Sequence, residues 1–189
     1  MNEDAAPDPK RAPEPLELVQ RFVNTAELDE DRDELSTPEA LRTWFAGARL
    51  MAPDEPVTEG DLRRAIDVRE GLRALLLCNN GGELDRLAVE RLKRAASRAG
   101  LRVGFVEGAP ALEPDATGVD GALARLLAVV ATTDEPTWRR LKACRHEPCR
   151  WAFYDRSKNR SGKWCTMDVC GNLEKARAYR ARRRGEATA

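Results

Sequence analysis

The sequence predicts an α+β fold: a mainly helical N-terminal domain carrying a small β-hairpin or sheet, followed by a small C-terminal domain organised by cysteines. Three observations carry this expectation. Apolar stripes at helical spacing follow recognisable helix caps between residues 37 and 98. Residues 101–108, LRVGFVEG, alternate Leu101, Val103 and Phe105 with polar or small residues, as a strand does. Four of the five cysteines lie close together near the end as C-x4-C-x15-C-x4-C.

Taken in order, residues 1–14 hold three prolines and several acids, too little apolar surface to bury, and read as a disordered tail. Residues 15–137 are expected to form the N-terminal α+β domain. Within it LELVQRFVNT (16–25) is apolar enough for a core strand or a short helix, and periodicity does not separate the two. Thr37 followed by Pro38 is a helix start, with Leu41, Trp44 and Phe45 on one face. Thr58 and Asp61 have capping-box spacing, and Leu62, Ile66, Val68, Leu72, Leu75 and Leu76 supply a wide stripe that ends at Asn79-Asn80-Gly81-Gly82. A second helix is expected over about 83–98, with Leu84, Leu87, Val89 and Leu92 as its apolar set and Gly100 as its stop. Gly108-Ala109-Pro110 turns the 101–108 strand toward a partner. VDGALARLLAVVAT (119–132) is apolar enough to be the buried centre, and Asp134-Glu135-Pro136 breaks the pattern before a C-terminal domain at 138–189. Cys78, at the end of an apolar helix, reads as a small buried hydrophobe.

Paired thiolates on either side of a spacer suit a tetrahedral Zn²⁺ ion, because each short pair curls around one edge of the ion and the spacer folds back to present the other. Cys144, Cys149, Cys165 and Cys170 are therefore the candidate metal ligands, and four sulfurs leave no open position, which predicts one structural Zn²⁺. An iron–sulfur centre and unliganded or disulfide-bonded cysteines are the alternatives. His146, the only histidine, lies inside the first pair and could replace Cys149, although Cys-x-His leaves little chain to reach two vertices. Between the pairs, RWAFYDRSKNRSGKW (150–164) is aromatic-rich and reads as a hairpin flanking DRSKNRSG. Asp168 can cap a helix running to about Arg184 with Cys170 in its first turn. Knuckle, hairpin and ligand-bearing helix make a treble-clef-like zinc finger, stabilised mainly by its metal and aromatics.

The formal charge is zero, from 32 basic and 32 acidic residues, but it is unevenly placed. From Arg139 onward there are 15 Lys+Arg against 5 Asp+Glu, a net of +10, which leaves −10 on residues 1–138. A segment of that sign suits a polyanion. Arg156, Lys158, Arg160 and Lys163 on the expected hairpin, with Lys175, Arg177, Arg180, Arg182 and Arg183 on the helix, are the candidate nucleic-acid contacts. DNA is the expected partner, and RNA or a protein surface are the alternatives. Residues 15–137 hold no histidine, phosphate-binding glycine loop or nucleophile motif, so no enzyme is expected. There is no apolar run long enough for a membrane span and no signal-peptide pattern at the start, which predicts a cytoplasmic protein without membrane contact.

The string WCTMDVCGN (164–172), preceded by C-x4-C-x-W-x-F-Y-D-x-S-x-N-R-S, closely resembles the CGNR zinc-finger family. In that family the finger follows a mixed α and β domain called ABATE, and Phe22-Val23-Asn24-Thr25 resembles that domain's opening. The resemblance covers nearly the whole chain and is most specific at 144–182. It implies a stress-related bacterial transcription regulator whose finger contacts DNA; by analogy from the two-domain architecture, the N-terminal domain is expected to sense a small-molecule effector or to mediate homodimerisation. The chain departs from the family signature at Leu173, where CGNR has arginine. On a helical wheel Leu173 lies near Val169 and Ala176, so it is expected to pack inward, and no DNA contact carries over to it.

Overall fold

The computed structural model describes residues 8–185. Among them are seven α-helices and three separate two-stranded antiparallel sheets, an α+β architecture. The doubt over residues 16–25 resolves as helix α1 (Leu16–Val23), because Leu16, Val19, Phe22 and Val23 recur at helical spacing and all four are buried. Strands β1 (Ala26–Glu27) and β2 (Arg32–Asp33) follow as a minimal ribbon. Helix α2 (Pro38–Gly47) begins as expected, with the Thr37 hydroxyl accepting from the Ala40 amide at 3.1 Å. Its Phe45 and Trp44 meet Phe22 of α1, with ring centroids 6.0 and 5.3 Å away.

Helix α3 (Glu59–Asn79) is the spine of the molecule and carries the predicted Thr58/Asp61 capping box. It packs against α1, α2 and the later elements α4, α5 and β5. Helix α4 (Arg86–Ala99) starts later than its apolar pattern suggests. Asp85 caps it by accepting from the Ala88 amide, so Leu84 falls outside the helix and Leu87 faces away from α3, and both are exposed. The buried stripe is instead Leu92, Ala95 and Ala99. Glycine at 71 lets the two helices approach, since a Cβ on Gly71 of α3 would lie 2.5 Å from the Leu92 Cβ and 3.1 Å from the Ala88 carbonyl oxygen.

Strands β3 (Leu101–Val106) and β4 (Ala109–Pro114) form the expected hairpin around Glu107 and Gly108, which hold φ of 49° and 83°. Helix α5 (Gly118–Thr132) supplies the central core through Val119, Ala122, Leu123, Ala124 and Leu126, while its last turn reaches the surface. Short helix α6 (Glu135–Trp138) occupies the predicted break, and β5 (Leu141–Ala143) pairs with β6 (Ala152–Tyr154).

Three expectations need correction. The predicted disordered tail extends over 8–14, yet these described residues dock: the Lys10 carbonyl accepts from the Tyr154 amide at 2.8 Å and Ala12 is buried against α1. Residues 1–7 of that tail lie outside the described residues. The hairpin predicted within 150–164 is replaced by β5–β6, which pairs β6 with chain before the first cysteine. Residues 155–163 instead make a compact loop, because buried side chains bind their backbone groups. Cys78 is exposed, not buried, because Leu76 and Asn80, two positions to either side on α3, are the ones that face the interior.

Candidate metal centre

The β5–β6 hairpin builds the first half of the centre. Beyond the Ala143–Ala152 pair the Cys144 amide donates to the Trp151 carbonyl at 2.9 Å, and the Cys149 and Arg150 amides both donate to the His146 carbonyl, at 3.0 and 3.2 Å. This tight turn aims Cys144 and Cys149 at one point. The second half comes from Cys165 and from Cys170, which sits in a π-helical turn (Met167–Gly171) that runs directly into helix α7 (Asn172–Arg183). Gly171 leaves room for its neighbours, since a Cβ there would lie 2.7 Å from Met167 Sδ and 3.1 Å from the Trp164 ring, so a side chain would displace the end of Met167.

The four sulfurs lie within 4.8 Å of one another, with Sγ–Sγ separations of 3.7 Å for Cys149–Cys165 and 3.6 Å for Cys165–Cys170. A tetrahedron of thiolates about 2.3 Å from a central ion has edges of roughly 3.8 Å. The donor set therefore fits one Zn²⁺, and the separations are far beyond the ~2.05 Å of a disulfide. Trp151 and Trp164 pack against the cluster, and Cys144, Cys149 and Cys170 are buried. With four sulfurs and no vacant vertex, the site is structural.

The thiols themselves call for a cation. Hydrogen bonds from Cys149 and then Cys165 lower the Cys144 pKa to about 2, so one thiolate forms readily. Further charge is then opposed: the interaction with Cys144 pushes Cys149 up, and with burial added takes Cys165 to about 12. Burial, then the neighbouring thiolates, push Cys170 to about 12. A divalent cation at the centre removes this conflict. His146 does not join the sulfurs; its Nδ1 lies 2.8 Å from Glu174 Oε1 and ties the first knuckle to α7.

The centre is fastened to the helical domain by side chains that bind finger backbone. Asn24 of α1 reads both polar groups of Ala152, donating to its carbonyl at 2.9 Å and accepting from its amide at 2.7 Å. Gln20 donates to the same carbonyl at 3.1 Å. At the end of α3, Asn79 donates to the Trp138 and Leu141 carbonyls, both at 3.0 Å, and Asn80 to those of Ala143 and Lys163 at 2.8 and 2.9 Å. Buried Arg73 spans Val23 and Arg150, reaching their carbonyls at 2.7 and 3.2 Å. Leu141, Ala143, Ala152 and Tyr154 belong to the main hydrophobic core, so β5–β6 is shared by both parts of the chain. Sequence reasoning missed this clamp. Its one visible signal was the polar pair Asn79-Asn80, which reads as a helix stop.

The candidate basic residues form two groups. Lys142 and Asp155, both buried, organise the loop that carries the first. Lys142 Nζ donates to Asp155 Oδ2 at 2.7 Å and to the Arg160 and Gly162 carbonyls at 2.6 and 3.1 Å. Asp155 also accepts from the Ser157 and Gly162 amides at 3.0 and 2.8 Å. Burial works to raise the Asp155 pKa, but the Lys142 bond and these loop donors outweigh it and hold the carboxyl below the usual range. Arg156, Lys158, Arg160 and Lys163 are thereby left exposed on the loop. Arg156 is partly engaged, donating to the Arg11 carbonyl at 2.9 Å and lying over the Tyr154 ring.

The second group, Lys175, Arg177, Arg180, Arg182 and Arg183, is exposed on α7, which buries none of its residues. Among the described residues none of these five makes an ion pair with the acidic N-terminal region; Arg177 lies 3.9 Å from Glu174 in its own helix. Leu173 is 48% exposed beside exposed Val169, against the expected inward packing, because α7 buries none of its residues against the rest of the described chain. No helix among the described residues is long and apolar enough to cross a membrane.

Residues 140–183 match the family model for the CGNR zinc finger, and residues 16–145 match the ABATE model, described as "Putative stress-induced transcription regulator". No curated protein matches the chain. The two matches overlap at 140–145, which contains strand β5, whose Leu141 and Ala143 belong to the main core, and the first cysteine of the finger. The chain belongs to the ABATE family and ends in a CGNR zinc finger that holds one zinc through Cys144, Cys149, Cys165 and Cys170.

Proposed function

We infer that this protein is a transcription regulator that binds DNA through the 138–189 segment, under control of the 15–137 domain. One observation carries the reading: the loop cations and the α7 cations stand exposed on elements that the metal, the Lys142–Asp155 pair and the side-chain clamp hold rigid. Rigid clustered cations gain affinity for phosphates by releasing condensed counterions, and arginine adds bidentate contacts. No catalytic role is assigned.

Control by the N-terminal domain takes one of two forms, binding of a small-molecule effector or self-association. A surface cleft of about 400 Å³, whose walls include Gln20, Asn24, Trp44 and Trp151, adjoins the clamp and is where an effector would reach the finger. Exposed Met167, Val169 and Leu173 favour a second reading, in which the zinc-stapled finger docks on a protein. RNA is distinguished from DNA only by direct competition.

The test uses the intact zinc-loaded protein, since the hairpin core is shared. Its affinity for duplex DNA is measured across a salt series. With six or more phosphate contacts, affinity falls by about 10³–10⁵ between 50 and 200 mM salt. Absence of binding at low salt, or binding indifferent to salt, overturns the reading. Preferential competition by RNA would move it to the other polymer.

A further inference from the structure

We propose that the β3–β4 hairpin is a self-association surface, on which two copies of the chain join through their β3 edges, antiparallel about a two-fold axis at Val103. The argument begins with exposure. Phe105 is 73% and Val103 68% exposed, and Leu101 stands on the same strand face. Their cross-strand partners are Pro110, Leu112 and Pro114, so one face of the ribbon is wholly apolar. An open, apolar edge strand is a template for pairing, and a two-stranded ribbon gains stability from further strands.

The register decides which edge is available. Antiparallel partners alternate between hydrogen-bonded and non-hydrogen-bonded pairs. Pro110 and Pro114 cannot donate, so their pairs with Phe105 and Leu101, and the Val103–Leu112 pair between them, are the non-bonded ones. Along β4 the outward positions are therefore Pro110, Leu112 and Pro114, an edge with two of its three donors missing, and β4 also packs against α5. Along β3 the outward N–H and C=O groups are those of Leu101, Val103 and Phe105. None of these has a partner among the described residues.

The same register favours a second copy over an unrelated strand. A two-fold axis at Val103 sets Val103 against the partner's Val103 and Leu101 against the partner's Phe105, so that every outward donor meets an outward acceptor. It also sets Arg102 against the partner's Gly104, which keeps the two arginines from facing each other. Gly104 is where Glu113 lies: a Cβ there would come within 2.4 Å of the Glu113 carboxyl carbon. The opposing Arg102 would therefore arrive at the partner's Glu113. In its own chain Arg102 lies 2.8 Å from Glu113 and 3.2 Å from Asp115, so the paired strands would bring two arginines and four carboxylates together across the axis, with each arginine shared between the acids of both copies.

Stable interfaces bury roughly 800 Å² per partner, and a single strand pair supplies less, so the dimer is expected to be weak. The intact zinc-loaded protein is examined by sedimentation velocity without nucleic acid, from about 1 to 200 μM. The expected result is a shift from monomer to doubled mass. Val103→Pro removes an outward N–H and no hydrogen bond within the hairpin, a substitution that an edge strand tolerates, and Val103→Lys keeps the N–H but charges the apolar face; both are expected to remain monomeric with unchanged zinc content and circular dichroism. A wild type monomeric at 200 μM overturns the proposal. So does a dimeric Val103→Pro variant, and if Val103→Lys is then monomeric the copies meet face to face instead. Should both variants fail to fold, hydrogen exchange of the Val103 and Phe105 amides in the wild type decides: protection rising with concentration supports edge pairing, and protection independent of it overturns it. Because no DNA is present, failure of DNA binding leaves this outcome intact.

Discussion

The helical domain and the finger reach order by different physics. In the first, Phe22, Phe45, Leu72, Leu76 and Leu123 are fully buried in a core with many mutually supporting contacts. In the second, α7 buries nothing, and the order comes from four sulfurs, one buried ion pair and a set of amide side chains reaching in from α1 and α3. A core of the first kind tolerates the loss of one member at a graded cost. An assembly of the second kind has single points of failure, because each polar tie leaves a buried group unsatisfied when its partner goes.

The largest effect is expected at the metal. Cys170→Ser, or chelation, should remove stoichiometric zinc and make the 145–185 region protease-sensitive while the helical domain still unfolds cooperatively; structural zinc contributes about 10–16 kcal/mol in small fingers. Metal analysis with limited proteolysis checks this, and a finger that stays protected without zinc would show that the clamp alone suffices. Next, Phe22→Ala should cost about 3–5 kcal/mol in chemical denaturation. Since α1 also carries Asn24, zinc retention in the folded fraction tells whether core and clamp fail together.

Asp155→Ala strands the buried Lys142 ammonium and should cost about 3–5 kcal/mol, with the loop cations losing their fixed placement. The pH dependence has a definite sign. The folded Asp155 carboxyl lies below its unfolded value of about 3.9, so its contribution is full above that pH and is lost as the pH falls further toward the folded value. The difference in stability between wild type and variant should therefore be constant near neutrality and close below about pH 4. Asn24→Ala leaves the Ala152 amide without its side-chain acceptor and the Ala152 carbonyl with Gln20 alone, and about 1–3 kcal/mol is expected, read as faster amide exchange at Ala152. The smallest effect is at Leu173→Arg, which restores the family residue at an exposed position. Stability should move by no more than about 0.5 kcal/mol, while the salt dependence of DNA affinity steepens by about one contact.

Much of this was legible in the residues. Thr37-Pro38, Thr58 with Asp61, and the alternation at 101–106 each announce a local structure that forms, because caps and pleats depend on neighbours a few residues away. The four cysteine ligands were legible for the same reason. Where tertiary context competes, the pattern misleads. The apolar Leu84 and Leu87 stay exposed while Leu92, Ala95 and Ala99 are buried, since the Asp85 cap fixes where α4 begins and α3 approaches it at Leu92 through Gly71. Leu173 and Cys78 were assigned inward faces that the packing turns to solvent.

By itself the sequence determined the helix starts, the β3–β4 hairpin, the metal and its ligands, and the basic character of the C-terminal segment. These are short-range matters of spacing, capping and charge. Only the tertiary structure decided that β6 pairs with β5, that Asn24 and Asn80 hold the finger's backbone, and that Lys142 and Asp155 shape the loop. Each of these joins residues distant in sequence through a hydrogen bond or a packing contact, and an amide side chain in a sequence carries no sign of the carbonyl it will meet.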